Sequence, residues 1–84
     1  MRITTVCPQQ NGILAITSDD GRAGLFDVNP YLKDEAFERL RDPDEFAKVA
    51  NGGYFVEWGC GADLSSDTIE ARWKVTERDS GLPN

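Results

Sequence analysis

The sequence contains no histidine and only two cysteines, and these absences exclude several kinds of active site. Without histidine there is no Ser-His-Asp or Cys-His nucleophile and no histidine-ligated metal centre. Cys7 and Cys60 cannot supply the four ligands of a structural zinc site, and nothing else in the sequence indicates secretion, the context in which disulfides persist. We therefore expect two free thiols, no metal, no cofactor and no enzymatic activity.

Long hydrophobic runs are also lacking. No stretch approaches the roughly 18 consecutive apolar residues that a membrane-spanning helix needs. Residues 1–8 contain no apolar run of the kind found in a secretory signal peptide. We expect a cytoplasmic protein that does not contact a membrane.

The chain of 84 residues is long enough for one hydrophobic core and no more. This length excludes a two-domain enzyme and a dinucleotide-binding fold, and it predicts a stability that is marginal or helped by a partner. We predict a single domain over residues 1–74, followed by a polar and frayed C-terminal tail over residues 75–84.

Acidic residues outnumber basic ones by fifteen to nine, which gives a formal charge of −6. Phosphate binding requires clustered lysine and arginine, so the charge balance predicts no direct contact with nucleic acid. An acidic surface suits solubility alone, or the binding of a basic protein partner.

The first third of the chain predicts an antiparallel meander of three strands. Asn11-Gly12 and Asp20-Gly21 are turn sequences, because both central residues of a type I′ turn need a positive φ angle. The segments on either side of these turns are rich in residues that favour strands. The predicted strands cover residues 3–7, 13–18 and 22–28.

Short helices and a second hairpin are predicted in the remainder. Asn29 and Asp42 are each followed by proline, which is typical of a helix cap and first helical position. The helix after Asp42 is predicted to end at Asn51-Gly52-Gly53, and Ser65 is predicted to cap a last helix. Residues 54–58 and 62–64 are the two strands of the short hairpin. The fold class is α+β: a three-stranded meander, a second short hairpin and two to three short helices in a single domain.

Side-chain alternation places apolar residues on both faces of the predicted sheet. Leu14 and Ile16 point to one face, whereas Ile13, Leu25 and Phe55 belong to the set on the other face. The sequence does not determine which set faces the helices. Either the last helix covers the second face, or another chain does, since contiguous apolar patches mark interaction sites.

Three segments together resemble a known family. Residues 18–28 (SDDGRAGLFDV) are similar to the pattern F-S-D-G-x-x-G-x-F-D-L. Residues 40–46 (LRDPDEF) are similar to L-x-D-P-x-x-F, and residues 56–64 (VEWGCGADL) are similar to V-x-W-P-N-G-A-D-L. In this order the segments resemble family number 2442 among the domains of unknown function, over roughly residues 3–73. The chain departs from the patterns at Ser18, which replaces an aromatic residue, and at Gly59-Cys60, which replaces Pro-Asn.

The resemblance implies a small α+β domain without established catalytic residues. Such domains are often encoded beside a second small protein, in pairs that look like toxin–antitoxin systems. Some relatives carry a helix-turn-helix domain behind this one, and this sequence shows none. We therefore expect any role in DNA binding to require a partner.

These observations favour a non-enzymatic protein-interaction module, antitoxin-like or an accessory subunit, that binds a small partner protein. Self-association and a place in a larger assembly are alternatives. The candidate contact residues are large apolar or amphipathic side chains of the kind enriched at interfaces, although core packing is the simpler interpretation of Trp58 and Tyr54. The full set is Trp58, Tyr54, Phe55, Leu25 and Ile13.

A third hypothesis is a small ligand-binding or enzymatic domain that uses Asp63 or Cys60. Asp20 and Asp27 flank the meander turn and, with Asp63, form the candidate polar site, because carboxylates serve in acid–base chemistry and weak cation binding. The simpler interpretation assigns the three aspartates to turns and caps. A reactive Cys60 thiolate would need a nearby cation or helix N-terminus.

Overall fold

Two antiparallel sheets form the framework of the structure, a computed structural model that describes residues 1–78. The strands of the four-stranded sheet are β1 (Ile3–Pro8), β2 (Ile13–Ser18), β3 (Arg22–Asp27) and β7 (Lys74–Arg78). They lie side by side in the order β1-β2-β3-β7. The three-stranded sheet consists of β4 (Ala50–Asn51), β5 (Phe55–Glu57) and β6 (Asp63–Ser65). This arrangement confirms the α+β prediction.

Both meander turns lie where the sequence places them, although neither is the predicted two-residue type I′ turn. Asn11 and Gly12 have φ angles of 63° and 75°. At the second turn Gly21 has a positive φ angle of 88° but Asp20 does not, and the Gly21 N–H donates to the Ser18 carbonyl at 3.2 Å. The first turn is wider than a two-residue hairpin, because β1 ends at Pro8 and β2 begins at Ile13, and the Gln9 N–H donates to the Ile13 carbonyl at 2.7 Å. The Asn29 side chain donates to the Asn11 carbonyl at 2.7 Å and holds this turn against the end of β3.

The helical segments between β3 and β4 are shorter than predicted. Asp42 caps α1 (Pro43–Phe46) by accepting from the Asp44 N–H at 2.9 Å, as predicted. The prediction that this helix ends at Asn51-Gly52-Gly53 is wrong. The helix ends at Phe46, and Ala50–Asn51 form β4, which pairs with β5. Two 3₁₀ segments, Asn29–Tyr31 and Glu35–Arg41, precede α1. Asn29 is not a cap, since its side chain is engaged by the first turn.

The chain after α2 (Ser66–Arg72) corrects the prediction of a frayed tail. Ser65 caps α2 by accepting from the Thr68 N–H at 3.1 Å. The following residues form β7, which pairs with β3, so the domain extends to Arg78. The rest of the predicted tail, residues 79–84, lies outside the described residues. No helix within residues 1–78 combines the length and apolar character needed to cross a membrane.

The core lies between the inner face of the four-stranded sheet and the elements that follow β3. Leu14, Ile16 and Phe26 point inward, which decides the question that alternation left open. Ile69 of α2 is also fully buried in this cluster, so the last helix packs on the inner face and does not cover the opposite one. The other members are Ile3, Val28, Phe37, Leu40, Phe46, Val56, Trp58, Ala62 and Leu64.

Candidate functional site

Asp20 lies in an ion-pair cluster at the turn between β2 and β3. Its carboxylate accepts from Arg22 Nε at 2.8 Å and from the Arg22 backbone N–H at 3.1 Å. The buried Ser18 hydroxyl donates to the same carboxylate. Arg22 Nη2 reaches Glu70 Oε2 of α2 at 2.7 Å. The cluster therefore ties the turn to the last helix, a structural role for Asp20.

The charges in this cluster stabilise one another in their ionised forms. The Arg22 hydrogen bond, followed by that of Ser18, holds the pKa of Asp20 far below the usual carboxyl range. Arg22 also lowers the pKa of Glu70, with the amino group of Met1 as a second donor. The pKa values of Asp20 and Glu70 are lowered and that of Arg22 is raised, so all three move away from pH 7. A general acid or base at physiological pH needs a pKa near 7.

The lowered pKa values of Asp20 and Glu70 make folding stability depend on pH in the acid range. A carboxylate whose pKa is lower in the folded state stabilises the fold above its unfolded-state pKa of about 4, and this contribution is lost as the pH falls toward the folded value. We expect the free energy of unfolding, measured by urea denaturation, to decrease from about pH 5 to about pH 2. Arg22→Met reduces this decrease, whereas Lys48→Met, which removes an exposed pair with Glu45, leaves it nearly unchanged. Equal acid sensitivity in Arg22→Met and the parent protein contradicts this assignment.

Asp27 is engaged by the chain that follows it. Its Oδ1 accepts from the Asn29 N–H at 2.9 Å and from Asn29 Nδ2 at 2.7 Å. Asp27 lies at the opposite end of β3 from Asp20, and a six-residue strand spans about 17 Å. These two aspartates therefore do not share a site.

Asp63 and Cys60 lie on the second sheet and the turn before it. Asp63 is exposed on β6, directly opposite Glu57 of β5. Cys60 is a free, half-buried thiol that packs against the core. Among the side chains of residues 1–76, no three cysteine, aspartate or glutamate residues come close enough together to hold a metal ion. The predicted polar residues are thus distributed over three separate places.

Leu25 and Ile13 are brought together on the outer face of the four-stranded sheet, which we define as Ile13, Ala15, Thr17, Ala23 and Leu25. Leu25 is 41% exposed and pairs with Ala15, two residues from Ile13 on the same strand. Diagonal neighbours of this kind lie about 7 Å apart. These two candidate contact residues therefore share one surface.

Tyr54 and Phe55 belong to a different surface, at the second sheet. They are 66% and 39% exposed. The Ile3 N–H donates to the Gly53 carbonyl at 2.6 Å, so the second sheet adjoins the start of β1. Leu25 lies on β3, so β1 and β2 separate it from this junction, and neighbouring strands are about 4.8 Å apart. Tyr54 and Phe55 therefore do not lie next to Leu25.

Trp58 is a core residue, which corrects its place among the candidate contact residues. It is 3% exposed, and its ring centroid lies 6.0 Å from that of Phe46 and 6.4 Å from that of Phe37. Its indole Nε1 donates to the Phe46 carbonyl at 2.9 Å. A buried ring with its polar atom satisfied offers nothing to a partner.

A cleft of about 550 Å³ was missed by the sequence analysis. Arg41 is the charged side chain of its lining, and it donates two hydrogen bonds to the Leu32 carbonyl, at 2.9 and 3.1 Å. The residues that line the cleft do not include Asp20, Asp27, Asp63 or Cys60. Its walls come from separate segments that no local pattern connects. The apolar lining consists of Pro8, Leu32, Leu40, Pro43, Phe46 and Ala47.

Comparison with known proteins gives one family. The sequence model described as "Protein of unknown function (DUF2442)" matches residues 3–75, which is most of the chain. No curated protein and no solved structure matches the chain.

Proposed function

The chain belongs to the family of proteins of unknown function DUF2442, and we propose that it is a non-enzymatic protein-interaction module that binds a small basic protein. The observation that carries this proposal is the outer face of the four-stranded sheet. Leu25 and Ile13 belong neither to the core nor to the side chains packed against it, and α2 packs on the inner face. Leu25 is exposed, and the other four side chains of this row are half-buried.

The shape of the outer face suits a docking surface. Ala15, Thr17 and Ala23 are small, so a partner can approach the backbone of β2 and β3 closely. Leu25 stands among them as the large exposed side chain. A projecting apolar residue on a flat, small-residue surface gives a partner both an anchor and a complementary shape.

Charge favours a basic partner over a second copy of the chain. The formal charge of −6 makes two copies repel one another, whereas it attracts a basic protein and accelerates their encounter. Ion pairs among the described residues engage only Asp20, Glu45 and Glu70 of the acidic side chains. An antitoxin-like role, in which the domain neutralises a small basic partner, is the sharper form of this proposal.

We expect Leu25→Asp to weaken partner binding by about tenfold or more, because it places a charge at the centre of the apolar contact. The measurement is affinity capture from the source lysate with quantitative mass spectrometry, followed by calorimetry with the purified partner. Ala36→Asp adds the same charge to an exposed 3₁₀ segment away from this face and serves as the control.

Equal capture by Leu25→Asp and the parent protein contradicts the proposal. So does sedimentation showing a dimer at micromolar concentration that Leu25→Asp dissociates, because a second copy then covers the face. The association rate with the purified partner is expected to fall between about 50 and 500 mM salt.

A further inference from the structure

The cleft of about 550 Å³ is separate from the outer face of the four-stranded sheet. Its walls are residues of the first meander turn, of the segment that begins at Asn29, and of α1 and the residues just before it. Neither Leu25 nor Ile13 belongs to the lining. Binding sites for small molecules have volumes of roughly 300–1,000 Å³ and are lined mainly by apolar side chains with a few polar groups. The size and the lining of this cleft therefore match a small-molecule site.

The guanidinium of Arg41 is held in place at the wall of the cleft. Its Nε and Nη2 both donate to the Leu32 carbonyl, at 3.1 and 2.9 Å. A side chain that is already fixed loses less conformational freedom when a ligand binds. A guanidinium has five N–H donors, and those that Arg41 does not use on Leu32 have no ion-pair partner among the described residues. These donors are available to a ligand.

The cleft is locally basic in an acidic chain. Fifteen of the 84 residues are acidic, yet the lining residues in the described part of the chain include no aspartate or glutamate. The carboxylate of Asp42, the residue next to Arg41, is used on the Asp44 N–H as a helix cap. Salt screens the more distant acidic residues over about 8 Å. A ligand in the cleft therefore meets the positive charge of Arg41 first, which favours an anion.

An arginine beside an apolar wall matches the two ends of an amphipathic acid. We propose that the cleft binds a small carboxylic acid with one carboxylate and an aliphatic or aromatic body. The carboxylate pairs with Arg41, because a planar guanidinium donates in parallel to two carboxylate oxygens. The body lies against Leu32, Leu40 and Phe46. An anion without an apolar body, such as inorganic phosphate, leaves this wall uncovered and gains nothing from it.

The direct test uses 4-phenylbutyrate as the probe, titrated into ¹⁵N-labelled protein at pH 7. We expect millimolar or tighter binding, with the largest amide shift changes at residues 9–12 and 40–47. 4-Phenylbutanol keeps the body and loses the charge, whereas acetate keeps the charge and loses the body. Each is expected to bind at least about threefold more weakly than 4-phenylbutyrate.

Matched variants separate the cleft from the overall charge. Arg41→Gln is expected to weaken 4-phenylbutyrate binding about threefold or more. Arg39→Gln removes the same charge from the same 3₁₀ segment, outside the lining, and is expected to leave the binding unchanged. Ala47→Glu places a carboxylate in the lining without removing the Leu32 contact, and is also expected to weaken binding about threefold or more. Ala36→Glu adds that charge on an exposed position away from the cleft and is its control.

A probe that moves no resonances around the cleft overturns the proposal. So does 4-phenylbutanol that binds as tightly as 4-phenylbutyrate, or an equal effect of Arg41→Gln and Arg39→Gln. A blocked tripeptide that ends in phenylalanine with a free carboxylate is expected to bind more weakly than 4-phenylbutyrate. Tighter binding of the tripeptide assigns the cleft to the end of a protein chain and overturns the small-acid site. None of these results affects partner capture through Leu25, which tests the proposed function.

Discussion

Replacing Trp58 with alanine is expected to lower the free energy of unfolding by about 3–5 kcal/mol. The ring is buried between Phe37 and Phe46, where the 3₁₀ segment and α1 meet the second sheet. Alanine leaves a cavity at this junction and removes the donor to the Phe46 carbonyl. Small domains have total stabilities at the lower end of about 5–15 kcal/mol, so most of the stability is lost.

The measurement is urea denaturation followed by far-UV circular dichroism. Trp58→Phe is the matched control, because it keeps most of the ring volume and removes the indole N–H, at a cost of about 1–3 kcal/mol. If Trp58→Ala stays within about 1 kcal/mol of the parent protein, then Trp58 does not connect the helical segments to the second sheet as the structure shows.

The parts of the fold that the sequence predicts are those with local causes. A positive φ angle at Asn11 and Gly12, the Asp42 cap and the Ser65 cap each depend on contacts within a few residues. The strands of the meander follow, because such turns leave little choice of register.

The two strands that the sequence misses have distant causes. β7 is polar and resembles a tail, and it becomes a strand only because β3 offers a free edge some 50 residues earlier. β4 has two residues and follows a short helix, so it carries no periodic signal of its own. Strand formation at both places is decided by the partner strand rather than by propensity.

The candidate site residues also differ in how far their positions depend on distant parts of the chain. Alternation predicted that Ile13 and Leu25 share a face, and the structure shows this, but only the packing of α2 shows that the face is the outer one. The sequence around Asp20 predicts only a turn residue. The contact that Arg22 makes from Asp20 to Glu70 depends on the fold, because Glu70 is distant in sequence. The sequence did not decide whether Trp58 lies in the core or at an interface, because its side chain suits both places. Its burial depends on packing against Phe37 and Phe46, which belong to other elements.

Gly24→Ala tests the close approach between β3 and the start of β7. Alanine in a strand is ordinarily more stable than glycine by about 0.5–1 kcal/mol, because it restricts the unfolded chain. At Gly24 an added Cβ would lie 2.7 Å from the Lys74 carbonyl oxygen and 2.8 Å from Trp73 Cε3. The first contact is with backbone and cannot be relieved by rotating a side chain. We therefore expect a net loss of about 1–3 kcal/mol in the free energy of unfolding.

Gly59→Ala is the control for Gly24→Ala, since a Cβ atom there meets nothing within 4 Å and the expected change is neutral or slightly stabilising. Hydrogen exchange locates the effect: in Gly24→Ala the amides of Lys74–Arg78 should lose protection more than those of Ile13–Ser18, because β7 must move away while β2 keeps its place. Trp73 should move with β7, which would also separate its ring from Arg22, now 5.5 Å from the ring centroid. If Gly24→Ala is as stable as Gly59→Ala, the pairing of β7 with β3 is looser than the structure shows, and the domain ends near residue 74 as the sequence first predicted.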